Sequence, residues 1–194
     1  MSELHQKVRK NYKQILENPE QSIISATHSS DIMSASVGYS PEDLALVPEE
    51  ANLGLGCGNP IPAAALQERE IVVDLGAGPG LDCFLAGVKV GRRGRAIGVD
   101  MTPEMVETAR RTAKKHKIRN VEFRLGEIEY LPVANDYADV CISNCVINLS
   151  LNKGQVYREI YRVLKPGGRI SICDIVIMQE IPQEMKADEA MHSC

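Results

Sequence analysis

No apolar run in this chain is long enough to span a bilayer, and its N-terminus lacks the hydrophobic segment of a signal peptide. These absences predict a cytoplasmic protein with no membrane partner. Positive charge is not in excess: the formal net charge is -4, the pI is near 5.6, and the one basic cluster, Lys114-Lys115-His116-Lys117, reads as a solvated helix end. That balance argues against a nucleic-acid partner. Six cysteines are present (Cys57, Cys83, Cys141, Cys145, Cys173 and Cys194), yet none pair as Cys-x-x-Cys, so the usual zinc-knuckle spacing is missing. Without a secretory signal the thiols are expected to be reduced, and any shared thiolate site must be assembled from distant parts of the fold. A His–Asp pairing is also lacking. His28 and His116 are isolated, and His192 offers Cys194 only a minor neighbour.

What is present begins with Glu70 to Asp82, E-I-V-V-D-L-G-A-G-P-G-L-D. The apolar run followed by Asp74 and by Gly76, Gly78 and Gly80 predicts a buried parallel strand that breaks into a tight turn and opens a helix. Glycine allows positive φ and close approach of a ligand, while the helix start offers unpaired N–H groups. Asp100, twenty residues beyond Gly80, closes a second apolar run, where a nucleotide ribose would present its hydroxyls. Together these predict a nucleoside-type cofactor. The 194 residues, 44% apolar, suit a single α/β domain with a helical N-terminal appendage.

In order along the chain, Leu4, Val8, Tyr12 and Ile15 form a helical stripe ending near Asn18-Pro19. Residues 20–40 are serine-rich and read as a mobile or ligand-ordered segment. Ser40 and Pro41 are the cap and first position of a short helix. The run Asn52 to Pro60, N-L-G-L-G-C-G-N-P, can be neither a stable helix nor a central strand, so Cys57 sits in a loop, followed by a helix from about Ile61 to Leu66. Leu81 to Val90 is a crossover helix with Leu81, Leu85 and Val88 or Ala86 toward the sheet. Thr102 caps a helix running to about Lys115, 121–125 is a third strand, and 138–143 a fourth. Asn152 to Leu164 is a helix, Lys165-Pro166-Gly167-Gly168 a tight turn, and Arg169 to Ile175 a fifth strand. This alternation predicts a parallel sheet with right-handed crossovers and a ligand beyond the carboxyl ends of its strands.

The strand ending in Asp-Leu-Gly-x-Gly-x-Gly, the acid after strand two, the acid after strand three and Lys-Pro-Gly-Gly before strand five together resemble class I S-adenosylmethionine-dependent methyltransferases. Four segments resemble the arsenite methyltransferase branch more closely: Asn52 to Pro60, Gly98 to Met105, Phe123 to Glu129, and Ser143 to Ser150. The likeness covers roughly Tyr39 to Cys194. It implies a Rossmann-like, doubly wound, mainly parallel α/β sheet with helices on both faces, lacking the C-terminal strand pair of the full methyltransferase sheet. Residues 1–50 would be a helical cap and cofactor-covering segment, and 51–194 the S-adenosylmethionine-binding domain, short at its C-terminus.

By the same resemblance Cys57, Cys145 and Cys194 would hold trivalent arsenic as substrate, arsenite or methylarsonite. Asp74, Gly76, Gly78 and Gly80 would face the methionine part of the cofactor and Asp100 the ribose. Met101, Glu127 and Ile128 would meet the adenine, Asn144 would start the loop under the methyl, and Tyr39 would close over the cofactor. A thiol reductant, glutathione or thioredoxin, is implied as well. The chemistry stands on its own terms: arsenic(III) is soft and best held by thiolate sulfur, and its lone pair can displace a sulfonium methyl with no base. Cys83, Cys141 and Cys173 read as small buried apolar residues. Alternatives are a small organic acceptor such as a quinone precursor, a binding module without turnover, and a zinc site on the same three thiols. A monomer is expected, with a sheet edge that would admit a dimer.

Overall fold

A computed structural model describes residues 3–17, 29–176 and 178. Its sheet has five strands, β1 (Ile71–Leu75), β2 (Arg95–Asp100), β3 (Val121–Leu125), β4 (Ala138–Asn144) and β5 (Leu164–Cys173), in the order β3-β2-β1-β4-β5. Every neighbouring pair is parallel. Strand β1 is central because its side chains are apolar on both faces; Val72, Val73 and Leu75 are fully buried.

The helices are α1 (Glu3–Glu17), α2 (Ser30–Ser36), α3 (Pro41–Leu44), α4 (Pro60–Ala64), α5 (Leu81–Val90), α6 (Pro103–Lys115) and α7 (Lys153–Val163). Two apolar clusters flank the sheet. One joins Ile61, Phe84, Leu85, Val106 and Ala109 from α4, α5 and α6 to Val72 and Val140; the other joins Val156, Ile160 and Val163 of α7 to Val73, Leu75 and Ile97. Alternate residues of β1 thus feed opposite faces, the doubly wound arrangement the sequence predicts. Val8 is buried, and Lys13 pairs with Glu104 at 3.0 Å, tying α1 to α6.

Four expectations need correction. Residues 30–36 of the serine-rich segment form helix α2, because Ser29 caps it by accepting from the Ile32 N–H; residues 18–28 lie outside the described residues. Val88 of α5 is exposed, whereas Cys83, Phe84, Leu85 and Ala86 are buried. Thr102 stands at the cap position of α6, but its hydroxyl makes no cap bond. The Lys165-Pro166-Gly167-Gly168 turn is a bulge inside β5: the register moves from Ala138 opposite Leu164 to Val140 opposite Arg169, with Gly167 at φ 83°. The bulge leaves Arg169 forked onto Glu70 at 2.6 and 2.8 Å.

Candidate active site

Parallel pairing brings the carboxyl ends of β1, β2, β4 and β5 to one edge, and a cleft opens there. Its floor is the turn after β1. Gly76 takes φ 70°, and a Cβ there would meet the Val146 side chain at 2.3 Å, so only glycine fits. Gly78 also lines the cleft, with open space where its side chain would be. Gly80 does not line it. At φ 109° it starts α5 against the rings of Phe123 and Phe84, which suits close helix–sheet packing.

Three carboxylates converge on this floor. Asp74 is 2% exposed and one of its oxygens, Oδ2, has no hydrogen-bond partner. Burial, reinforced by Asp82 and Asp100, holds its carboxyl well above the ordinary range. Asp82 lies in the first turn of α5 and is pushed up to about 6 by burial, against hydrogen bonds from Tyr39 and Asn144 that lower it. Asp100 accepts from the Gly78 N–H at 2.9 Å and the Thr102 N–H at 2.8 Å, and burial raises it too.

Asn144 links this acidic floor to the cysteine loop. Its Nδ2 lies 2.8 Å from Tyr39 Oη, 2.7 Å from the Gly58 carbonyl and 3.1 Å from Asp82 Oδ2, so two hydrogens are shared among three acceptors. Its Oδ1 accepts from the Cys57 N–H at 3.1 Å. Tyr39 in turn donates to Asp82 Oδ1 at 2.7 Å, and burial beside that carboxylate raises its phenol well above the usual range. The loop's other end is fixed by Asn52, which bonds Ser34 and the Gly54 N–H through Oδ1 and Asp31 through Nδ2.

Across the edge, Cys57, Cys145 and Asp174 each offer a ligand atom, all within 4.8 Å of one another. Cys145 is buried, lines the cleft and takes φ 59°, an uncommon conformation for a side-chain-bearing residue that turns the chain out of β4. Its N–H donates to the Cys173 carbonyl at 2.8 Å. Asp174 follows Cys173, which pairs with Asn144, so the carboxylate falls beside Cys145.

Of the residues predicted for a cofactor, Tyr39, Asp74, Gly76, Gly78, Asp100, Met101, Ile128 and Asn144 line the cleft. Glu127 does not. Its carbonyl accepts from the Tyr130 N–H in a turn, and it is Glu129, buried and bonded to the Ser150 hydroxyl, that faces inward. Cys83 and Cys141 are buried as predicted, with burial pushing the Cys141 thiol up to about 12. Cys173 departs from that reading. It is only partly buried, its side chain lies against Gly58, and its carbonyl sits 3.8 Å from the Cys57 thiol. Cys194 lies outside the described residues. Sequence reasoning missed Asp82, Glu129 and Asp174; Asp174 fell inside the predicted fifth strand, which in the structure ends one residue before it, at Cys173.

A wound parallel sheet with a glycine turn, and acids at the ends of its first two strands, defines a Rossmann-like nucleoside-binding fold. Residues 66–194 match the family model described as a methyltransferase domain, and the chain belongs to that family. An arsenite methyltransferase of Halobacterium salinarum is 52% identical over 78% of this chain and 39% of its own length. One from Aquipseudomonas alcaligenes is 36% identical over 97% of this chain and 56% of its own. The crystal structure of an arsenic(III) S-adenosylmethionine methyltransferase from Chlamydomonas reinhardtii shares the fold with a TM-score of 0.64 and 36% identity, over 84% of this chain and 54% of that one. The chain therefore spans between about two fifths and three fifths of these relatives. Among the described residues, no helix is long and apolar enough to cross a membrane.

Proposed function

We propose that the chain transfers a methyl group from S-adenosylmethionine to trivalent arsenic held by cysteine thiolates. The observation that carries this reading is the meeting of Cys57 and Cys145, 88 residues apart in sequence, beside a cleft suited to a nucleoside. Arsenic(III) is thiophilic, and two thiols from separate loops hold it where neither could alone.

The cleft fits the cofactor. Asp74 with its buried, unpartnered Oδ2 and Asp82 beside it offer carboxyl oxygens to a ligand carrying sulfonium and ammonium charge, whose arrival would favour their ionised forms, and the space over Gly78 admits close approach to the backbone. When bound, S-adenosylmethionine supplies an electrophilic methyl group. Asp74 and the Gly76–Gly78 turn would hold its methionine end, Asp100 the ribose, and Met101 and Ile128 the base. Glu129 replaces Glu127 as the acid facing the base. Gly80 supports the turn from behind. Tyr39, held by Asp82 and Asn144, covers the cleft, and α1 caps it through Val8 and Tyr12. Cys57 and Cys145 position arsenic with its lone pair free, and Cys194 is the third thiolate in this reading. Proximity accounts for the rate, and no proton need leave the arsenic nucleophile. A thiol reductant, glutathione or thioredoxin, returns the product and the site to the trivalent, reduced state. The protein works as a monomer in the cytoplasm.

Incubation of the protein with arsenite, a thiol and methyl-labelled S-adenosylmethionine should yield labelled methylarsenicals. Cys57→Ser and Cys145→Ser should each abolish that product while leaving cofactor binding intact. No product from a protein that binds the cofactor, or product indifferent to both substitutions, overturns the proposal and favours an organic acceptor.

A further inference from the structure

We infer that Asp174 is a specificity-determining residue of the arsenic site: its carboxylate accepts a hydrogen bond from the hydroxyl that arsenite keeps after two thiols have bound it. This rests on the arsenic reading above.

The geometry has three parts. First, a carboxylate oxygen of Asp174 lies within 4.8 Å of the ligand atoms of both Cys57 and Cys145, just past the paired carboxyl ends of β4 and β5. Second, the carboxylate is already oriented. Oδ2 accepts from the Asn148 N–H at 3.0 Å and Oδ1 from the Ile175 N–H at 2.9 Å, and each oxygen retains a further lone pair. Third, the Asn148 bond ties Asp174 to the loop that carries Cys145, so the acceptor and the thiol keep their separation.

Arsenite reaches the pair as As(OH)3. Two As–S bonds form and two As–O bonds break; the two thiol protons leave with the two hydroxyls as water, and arsenic stays trivalent. One As–OH remains. It is a donor facing a carboxylate acceptor, a charge-assisted bond stronger than one between neutral groups. An arsenical whose third substituent is carbon presents no such donor once two thiols have bound it. The site therefore favours the unsubstituted acid over aryl or methyl derivatives at the capture step.

Calorimetric titration with arsenite and with phenylarsonous acid tests this in a Cys194→Ser background, which keeps the third position as hydroxyl. Adding Asp174→Ala should weaken arsenite about tenfold or more and leave phenylarsonous acid within about twofold. Asp174→Asn keeps an oxygen for the Asn148 N–H without the charge and should fall between. Equal weakening of both ligands would mean that Asp174 only orders the loop, and no weakening of either would mean it is a bystander; both results overturn the inference. Arsenite binding lost through Cys194→Ser alone also overturns it, since two thiols and Asp174 then do not suffice to capture arsenite. If the unaltered chain binds neither arsenical, the arsenic reading itself fails and takes this one with it.

Discussion

Asp82 shows how one buried side chain can weaken the fold in order to make a binding site. Its carboxyl ordinarily titrates near 3.8 and is pushed up to about 6 by burial, so the folded protein holds that proton more tightly than the unfolded chain. A raised acid contributes its stability fully below pH 3.8, and that contribution is lost as the pH rises through about 6. Asp82→Asn removes the ionisation and should make the ligand-free protein more stable than the parent at pH 7, by roughly 1–3 kcal/mol, with the difference vanishing near pH 4. Denaturant titration across that range reads it directly. The same variant should bind S-adenosylmethionine more weakly at pH 7, because the negative field of the floor is reduced while Asp74 and Asp100 remain. The sequence marked Tyr39 and Asn144 as candidates for this edge, and both line the cleft. Their joint hold on Asp82 was not legible there, because it depends on three elements meeting.

At the scale of elements, the cysteine loop between α3 and α4 is held by close packing. A Cβ on Gly58 would stand 2.7 Å from Cys173 Cβ and 2.9 Å from its Sγ, and the nearer atom is fixed to the β5 backbone. Gly58→Ala should therefore cost about 1–3 kcal/mol in denaturant stability and loosen Cys57 at the same time. Gly154 in α7 is the opposite case, meeting only side-chain ends at 3.7 and 3.8 Å. Gly154→Ala should stabilise by about 0.5–1 kcal/mol. The helix and strand spans were mostly legible from periodicity and caps, as with Ser40 accepting from the Asp43 N–H at 3.0 Å ahead of α3. The bulge in β5 was not legible: Pro and Gly mark a turn in sequence, and only pairing with β4 shows that the strand runs through it.

For the whole molecule, the order β3-β2-β1-β4-β5 places the crevice between β1 and β4, where successive crossovers turn to opposite sides. Residues from the N-terminal helix, Tyr39, the cysteine loop and the ends of three strands all border it, so a ligand there links segments far apart in sequence. A ligand that binds only the folded state at a hundred times its dissociation constant adds about 2.7 kcal/mol. S-adenosylmethionine at that concentration should raise the melting temperature by roughly 5–10 °C, given about 2–4 °C per kcal/mol for a chain of this size. The Asp74→Ala variant should show a much smaller rise. A thermal scan with and without ligand checks both.

The sequence by itself determined that a glycine turn, two acids, Asn144 and two cysteine loops share one edge, because alternating strands and helices wind into a parallel sheet whose carboxyl ends all point the same way. Tertiary structure alone decided which of those groups touch. Cys57 meets Cys145, Glu129 rather than Glu127 turns inward, Cys173 leaves the core to pack on Gly58, and Asp174 joins the two thiols. The physical reason is that contacts such as Cys57 to Asn144, 87 residues apart, are set by strand register and loop docking, which local pattern does not encode.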